Sequence, residues 1–517
     1  LELVIDELFD SIRDDCGYEV GSVGKTNARC FADDLTLISS TRIGMNELID
    51  KTTAFLAASG LAINPSKCIS IGMEKGYKGK KSKIISEPIF SINGAQVPML
   101  GMENTTRYLG INFTSTGAVD SENIRKGINK ALSELVKLPL KAQCKIDLLR
   151  TYIMPRFTFQ LIHTEIFPKL LRKIDVSVRK VIRQILHLPL SLSTEFFHLP
   201  MREGGLQFPL LRETVGLAKI KLHKKIMHLE DPVLRHLVDG QKSSVNEHFI
   251  RDLGVGSPCT NAELNQAKEQ FSRDKTIAYR AKVHGDGHEI FSTCSFTNQW
   301  IRGDVKNMKT RIFINSIKMR TNTLETRVTT TRGIVTDKTC RKCHLADESL
   351  MHVLQICPAT KGFRYTRHHR ICGRVAQKLE ERGFSVFKEK SFPDPNALGR
   401  TLRPDIIAIK DRHALVLDVS AIYERSGATF IDANRRKVEK YTPILASIEK
   451  HFDCVSSEVR GLIIGSRGAF YHHQVRSWHE IGFSVTELKF IAIGCMEDSI
   501  RVASKFGNIR SNSLNPP

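Results

Sequence analysis

The chain has no apolar run approaching about 18 residues, the length a helix needs to cross a bilayer, so no membrane-spanning helix is expected. No basic-then-apolar segment of the secretory kind stands at its start. No internal repeat and no low-complexity tract interrupts it. Cysteine is thinly scattered, 12 in 517 residues with three in one cluster. That usage suits a metal in a reducing compartment and not a disulfide framework. Acidic side chains are outnumbered, 55 against 77 Lys and Arg, for a net charge of +22. Such a surplus points to a polyanion, with nucleic acid first; a ribosomal or membrane-surface protein is the bland alternative. An initiating methionine is also missing. The first residue is Leu1, in an acidic amphipathic stretch to Asp15 with Ile5, Leu8, Phe9 and Ile12 on one helical face. A domain rarely begins mid-helix without a cap, so the true N-terminus is expected upstream.

What is present is enough for several cores. At 517 residues and 41% hydrophobic, the chain should divide into three or four domains. Up to about residue 120, short helices and strands mix. Ala28 to Ser39 reads as a hairpin with Asp33-Asp34 at its tip, Asn46 to Ser59 as a helix stopped by Gly60, Lys75 to Lys83 as a solvated basic loop, and Tyr108 to Phe113 as a short strand. From Ser121 to about His236 the pattern is helical, broken at Pro139, Pro155, Pro189 and Pro200. Residues 241–260 read as a polar linker. Ala262 to Thr331 is mixed, with a strongly basic stretch from Arg302 to Arg332. A Cys/His cluster follows, and 362–500 alternate helices and strands as in an α/β domain.

The tetrapeptide Phe31-Ala32-Asp33-Asp34 lies between apolar strand residues, Ala28 and Cys30 before it and Leu35, Leu37 and Ile38 after it. Adjacent carboxylates on a tight hairpin repel unless cations occupy the site. Nucleotidyl transfer needs such a place, where two Mg²⁺ ions activate a primer hydroxyl and stabilise departing pyrophosphate. Alone the tetrapeptide is more often a plain acidic turn than a catalytic one. Its surroundings are more specific: Gly60-Leu61-Ala62-Ile63-Asn64-Pro65-Ser66-Lys67-Cys68 follows after one helix, and Arg107-Tyr108-Leu109-Gly110-Ile111 after a further loop. This order resembles the metal-binding, lysine and primer-grip motifs of a reverse transcriptase palm. Leu3-Val4-Ile5-Asp6-Glu7-Leu8 is similar to the helix after the template-contacting motif of non-LTR retrotransposon enzymes. The resemblance implies that Asp33 and Asp34 are Mg²⁺ ligands and that Lys67 protonates pyrophosphate. The plain alternative for Lys67 is a surface lysine. Palms of this kind take a third carboxylate from an earlier strand, which would precede Leu1. Asp14 and Asp15 are the only nearby candidates and read as solvated.

Ser121 to His163 resembles the thumb of the same family. Lys126, Lys130, Lys137, Lys141 and Lys145 recur at near-helical spacing, suited either to a phosphate backbone or to plain solvation. Leu186 to Leu210, with His187-Leu188-Pro189 and Gly204-Gly205-Leu206, resembles the linker of non-LTR elements that carry a restriction-like nuclease.

Cys340-x2-Cys343, then His352 and Cys357, is a Cys-Cys-His-Cys set suited to tetrahedral Zn²⁺. The close Cys pair makes a turn, while His352 and Cys357 come from a helix and its end, which Pro358 stops. The spacing resembles a stretched zinc knuckle. Three core cysteines are the alternative, and His344 is a rival fourth ligand strained by its place beside Cys343. A site closed by four ligands is structural. Arg320, Arg327, Arg332, Arg341, Lys342, Arg364, Arg367 and Arg370 surround it in sequence, as in a basic module that holds nucleic acid.

Arg403-Pro404-Asp405 is a turn running into a buried strand, Ile406 to Ile409, and Ala414 to Ser420 is the next strand, carrying Asp418. Two such acids on neighbouring strands can converge on one divalent ion. A Pro-Asp dipeptide by itself is usually just a turn. The pattern resembles restriction-type nucleases, except that Ser420 stands where the basic pattern has lysine. The restriction-like nucleases of non-LTR elements, which place that lysine on the following helix, are more similar. Asp432 to Tyr441 is such a helix, with Lys437 and Lys440 as alternatives for the catalytic lysine, or as solvated residues. Glu424 is offered as a further ligand.

The order of modules resembles the R-two type of element, which inserts at a fixed site in ribosomal RNA genes. The expected fold class is multidomain, α+β and α/β: part of a reverse transcriptase palm over 1–120, helical thumb and linker over 121–240, a basic linker region over 241–335, the zinc motif over 336–361 and a restriction-like endonuclease over 362–517. The resemblance implies target-primed reverse transcription, in which a nicked DNA strand primes copying of the element's own RNA. Element RNA and target DNA are the implied partners, Mg²⁺ at two sites and Zn²⁺ the cofactors, and the nucleus the compartment. The alternatives are a DNA endonuclease with an inert polymerase remnant and a non-enzymatic zinc-dependent nucleic-acid-binding protein. No motif sets the oligomeric state.

Overall fold

In the computed structural model, the residues described are 2–12, 16–74, 82–116, 121–240, 244–256, 260–302 and 308–508. Two compact units form, and neither is continuous in sequence. One takes Leu1–Ser133, Ile153–Ser177 and Leu210–Lys268; the other takes Glu134–Tyr152, Val178–Pro209 and Glu269–Pro517. No described helix is long and apolar enough to cross a membrane.

In the first unit the helix Glu2–Ser11 buries Ile5 and Leu8, with Ile12 just beyond its end, as its apolar spacing requires. These side chains meet Leu48 and Leu56 of the helix Arg42–Ala58, and together they underlie the strands Ala28–Phe31 and Asp34–Leu37. The second helix starts at Arg42 and not Asn46, because the Thr41 hydroxyl accepts from Gly44 N and caps it. Past its end Gly60 turns with φ +75°. The single strand expected over Tyr108 to Phe113 is instead the turn of a hairpin. Thr105–Tyr108 pairs antiparallel with Ile111–Thr114, and Leu109 and Gly110 between them hold φ of +47° and +81°. The supposed linker over 241–260 also has structure, the helix Ser244–Leu253. Its Phe249 is fully buried where a Cβ on Gly216 would collide with the ring. Of the basic loop, residues 75–81 lie outside the described residues, as do Asp14 and Asp15.

The helix Ser121–Lys137 buries Ile124, Ile128, Leu132 and Leu135 along one stripe. Lys126, Lys130 and Lys137 lie on its exposed side. Lys145 does not join them, since its Nζ donates to Val136 O at 2.7 Å and caps the end of that helix.

The second unit is built on a four-stranded sheet in the order Ser385–Lys388, Ile406–Lys410, His413–Ile422, Ser456–Gly465. The first three run antiparallel, and the last pairs parallel with its neighbour through the crossover helix Gly427–Tyr441. Strand periodicity sorts the side chains. Ile406, Ala408, Leu415, Leu417, Val419, Leu462 and Ile464 pack with the helices Lys361–Glu381 and Val485–Asn508. On the other face, Ile407, Ala414 and Val416 pack with Tyr441, Ile444 and Ile448.

The expected basic linker over 241–335, from Glu269 on, contributes to this core. Cys294 joins the first face, and Ile290 and Phe291 pack with Phe430, Ala433 and Ile463. Arg320 fastens it further by donating to Arg467 O, Gly468 O and Asn298 Oδ1 with its guanidinium over the Phe291 ring.

Candidate metal centres

Three acidic or thiol-bearing sites stand where the sequence places them, and they differ in how firmly they are held. At the tip of the first hairpin, Phe31 pairs with Asp34 across a turn made by Ala32, at φ +55°, and Asp33. Asp33 and Asp34 are exposed, and Phe31 beside them is 66% exposed. The Cys30 thiol behind the turn is pushed up by burial and then by the charges of Asp33 and Asp34. Lys67 closes a short 3-10 turn, Pro65–Lys67, fixed by Asn64 Oδ1 accepting from Ser66 N. Among the described residues, no hydrogen bond or ion pair joins Lys67 to either carboxylate.

The second centre lies at one end of the four-stranded sheet. Ile406 pairs with Leu417, so Asp405 and Asp418 stand opposite one another in the next register position. Asp405 Oδ2 accepts from Val419 N at 2.7 Å, and Oδ1 lies 3.0 Å from His368 Nε2. Asp418 is 3% exposed, has no aligned hydrogen-bond donor on Oδ1, and faces the Lys437 ammonium there. Tyr441 lies against Asp418, and its phenol is pushed up by burial first and by that carboxylate second. Its hydroxyl donates to Arg403 O at 3.0 Å, tying the helix to the turn that delivers Asp405. A buried carboxylate balanced by an ammonium, opposite a second carboxylate, is a donor set fit for a hard divalent cation. Lys440 does not reach it; its Nζ donates to Tyr441 Oη at 2.8 Å. Of the two candidate lysines only Lys437 joins the acids.

Glu424, offered as a further ligand, is elsewhere. It is fully buried, with Oε1 accepting from Arg467 N at 2.8 Å and Oε2 from Arg467 Nε at 3.1 Å. It neutralises a buried guanidinium and is no ligand. His368 belongs to the centre and carries no motif. The only signal for it is the His368/Cys372 pair one helical turn apart, on a helix that reads as merely basic.

The third site is the Cys/His cluster. Cys340, Cys343, His352 and Cys357 bring four ligand atoms within 4.8 Å of one another. Cys340 Sγ and Cys357 Sγ are 3.9 Å apart, and Cys343 Sγ and His352 Nε2 are 3.2 Å apart. The edges of a tetrahedral site with metal–sulfur bonds of about 2.3 Å and metal–nitrogen bonds of about 2.0 Å are about 3.8 and 3.5 Å, so the set fits. Burial, with Cys340 and Cys343 nearby, pushes the Cys357 thiol up to about 12, a penalty that a bound cation would reverse. His344, the rival ligand, is exposed at φ +56° and outside the set. Phe506, from the helix Val485–Asn508, packs on Cys340 and Cys357.

A residue with no motif organises this cluster. Buried Glu348 accepts from Arg327 N at 3.0 Å, Arg341 N at 3.1 Å and Arg341 Nε at 2.7 Å. Burial raises its carboxyl, and those donors outweigh burial and leave it below its ordinary value. The surrounding arginines also hold internal partners, while Arg341 and Arg370 keep side chains exposed at the surface. Arg320 is buried as described, Arg327 donates to Thr339 O, and Arg332 donates to Asn322 O and contacts His284 Nε2. Arg364 donates to Cys357 O, Arg367 to Leu354 O and Ser499 Oγ, and Arg370 pairs with Asp498.

Against this geometry the comparisons with known proteins fall into place. Residues 1–113 match the family model described as reverse transcriptase (RNA-dependent DNA polymerase). The chain therefore carries a reverse transcriptase domain. It is similar to the retrovirus-related Pol polyprotein from type-2 retrotransposable element R2DM of Drosophila melanogaster, 29% identical over 483 residues, 92% of this chain and 44% of that protein. A Pol polyprotein from type-1 element R2 of Popillia japonica is 27% identical over 487 residues, 92% of this chain and 96% of that protein. One from Nasonia vitripennis is 26% identical over 442 residues, 85% of this chain and 41% of that protein. The chain is thus a homologue of the Pol polyproteins of R2 retrotransposable elements, and it spans less than half the length of the Drosophila and Nasonia relatives.

Proposed function

We propose that the chain is the part of such a Pol polyprotein that joins polymerase elements to a DNA endonuclease. In this reading Asp405 and Asp418 hold Mg²⁺ and Lys437 activates water or offsets phosphate charge at the scissile bond. Asp33 and Asp34 are the polymerase Mg²⁺ ligands, with Lys67 as the acid for pyrophosphate, on a palm continued by a helical thumb. Cys340, Cys343, His352 and Cys357 close on a structural Zn²⁺. The protein nicks target DNA, in ribosomal RNA genes as the sequence resemblance implies, and uses the freed 3′ hydroxyl to prime copying of element RNA, in the nucleus. When bound, the Mg²⁺ ions supply charge neutralisation and a lowered pKa for the attacking oxygen. The chain's own residues place that charge: Val419 N fixes one oxygen of Asp405, and Tyr441 ties the turn of Asp405 to the helix of Lys437.

The observation that carries this reading is the meeting of Asp405, Asp418 and Lys437 at one sheet end, from two strands and a helix spread over more than thirty residues. The surplus of cations supports a polyanionic partner, as does a cleft of ≈ 700 Å³ lined by Lys221, Lys224, Lys225, His228, Asn261 and Asn265. The deciding experiment is nicking of target DNA by Asp405→Ala, with a gel shift on the same protein. Nicking should stop while binding persists; normal nicking would sink the assignment. Nicking with and without deoxynucleotides then separates coupled synthesis from an endonuclease with an inert polymerase part.

A further inference from the structure

The helix Lys361–Glu381 passes the start of the strand Ile406–Lys410, and His368 and Cys372, one turn apart on it, aim at one point. His368 Nε2 is 3.0 Å from Asp405 Oδ1 and 3.5 Å from Cys372 Sγ, and the three ligand atoms lie within 4.8 Å of one another. One ring nitrogen facing both an oxygen and a sulfur makes a poor hydrogen-bond relay, which needs the two nitrogens to serve two partners. It is natural as a corner of a coordination shell. A tetrahedral ion with bonds of about 2.0 Å to nitrogen and oxygen and about 2.3 Å to sulfur has N···O and N···S edges of about 3.3 and 3.5 Å. The side chains of His368 and Asp405 are 26% and 16% exposed, which leaves solvent access for a fourth ligand.

We propose that His368, Cys372 and Asp405 form a binding site for a soft divalent cation such as Zn²⁺ or Co²⁺, built beside the Asp405/Asp418 centre and sharing Asp405 with it. The inference rests on the nuclease reading only through that shared carboxylate. As the sulfur–metal bond forms, the buried Cys372 thiol loses its proton to solvent, with the cation balancing the thiolate charge. Imidazole and thiolate select against Mg²⁺, which prefers oxygen, so the two ions do not compete on equal terms for the same donors. A soft ion on His368 draws Asp405 Oδ1 away from the hard ion. Its occupancy therefore inhibits nicking.

The test is a Co²⁺ titration of the full chain with Zn²⁺ already in the Cys340 cluster, followed by absorption. One further Co²⁺ per chain should bind with a near-ultraviolet thiolate-to-cobalt band. Cys372→Ser should remove that band, and His368→Gln should weaken the additional site at least tenfold. Added Zn²⁺ should suppress Mg²⁺-dependent nicking by the wild-type chain. Absence of a further equivalent, persistence of the band in Cys372→Ser, or wild-type affinity in His368→Gln would each overturn the proposal. Should Cys372→Ser fail to fold, His368→Gln decides alone, because that side chain is partly at the surface. A further Co²⁺ bound by a chain that never nicks would strike the nuclease reading and leave this site standing. Robust nicking by a chain that binds no further Co²⁺ at any concentration would do the reverse.

Discussion

Two carboxylate pairs, one in each unit, are proposed to hold Mg²⁺, and the structure treats them in opposite ways. Asp33, in a two-residue turn with Ala32, and Asp34, the strand residue after it, sit exposed beside an exposed Phe31. Asp405 and Asp418 are anchored one by one, through Val419 N, His368 and Lys437. An exposed pair relies on water and on incoming ions to screen its repulsion. A buried pair needs protein partners in the absence of metal. The first is therefore cheap to alter and uninformative when folding is measured, while the second couples chemistry to stability.

The largest test of that contrast is catalytic. Asp418→Ala should lower Mg²⁺-dependent nicking by about 10³, the loss of a metal ligand worth several kcal/mol, and Asp33→Ala should leave nicking intact. Equal loss in both would end the separation of the two pairs. Next comes a stability contrast. Glu424→Gln takes from buried Arg467 its nearer carboxylate, leaving Asp286 farther off, and should cost about 3 kcal/mol in denaturant unfolding, whereas Asp33→Asn should change stability by no more than about 0.5 kcal/mol. A costly Asp33→Asn would show the hairpin tip to be held after all. Smaller again is the choice of lysine. Lys437→Ala should slow nicking by about 10²-fold, in the usual range for a lost general acid–base group, while Lys440→Ala, which only loses a bond to Tyr441, should stay within about threefold. The reverse order would move the catalytic lysine.

The smallest effect is one of pH. The Lys378 ammonium, then Ser484, holds Glu487 down to about 2. A carboxyl depressed on folding stabilises above its ordinary range, and the benefit fades as pH falls toward about 2. Glu487→Gln should melt about a degree below wild type at neutral pH, and the gap should close in acid. A gap independent of pH would mean that packing, not charge, is responsible.

What was legible in the sequence was whatever local spacing encodes: the Asp33-Asp34 hairpin, the Cys/His cluster, the two acids flanking a strand pair. Partner choice was not. Arg320, Arg367 and Arg467 look like any surface cation in sequence, yet each is buried on a carbonyl, hydroxyl or carboxylate far along the chain. His368 was missed because its role depends on a helix meeting a strand 37 residues away. The Tyr108 hairpin was missed because Leu109 gives no sign of a left-handed turn. The start of the Arg42 helix is encoded locally, in the capping hydroxyl of Thr41.

The internally bonded arginines around the Cys/His cluster change how net charge should be counted. A cation that already holds a carbonyl or a carboxylate must give up that bond before it can displace a counterion from a phosphate backbone. The slope of log affinity against log salt would then report only the outward-facing cations, lysines such as those at 126 and 137 among them, and not the +22 of the whole chain. Lysine meets phosphate as a point charge, without the planar fork by which arginine reads a guanine edge. Grip on nucleic acid through those lysines would be strong at low salt, steeply lost as salt rises, and indifferent to base sequence.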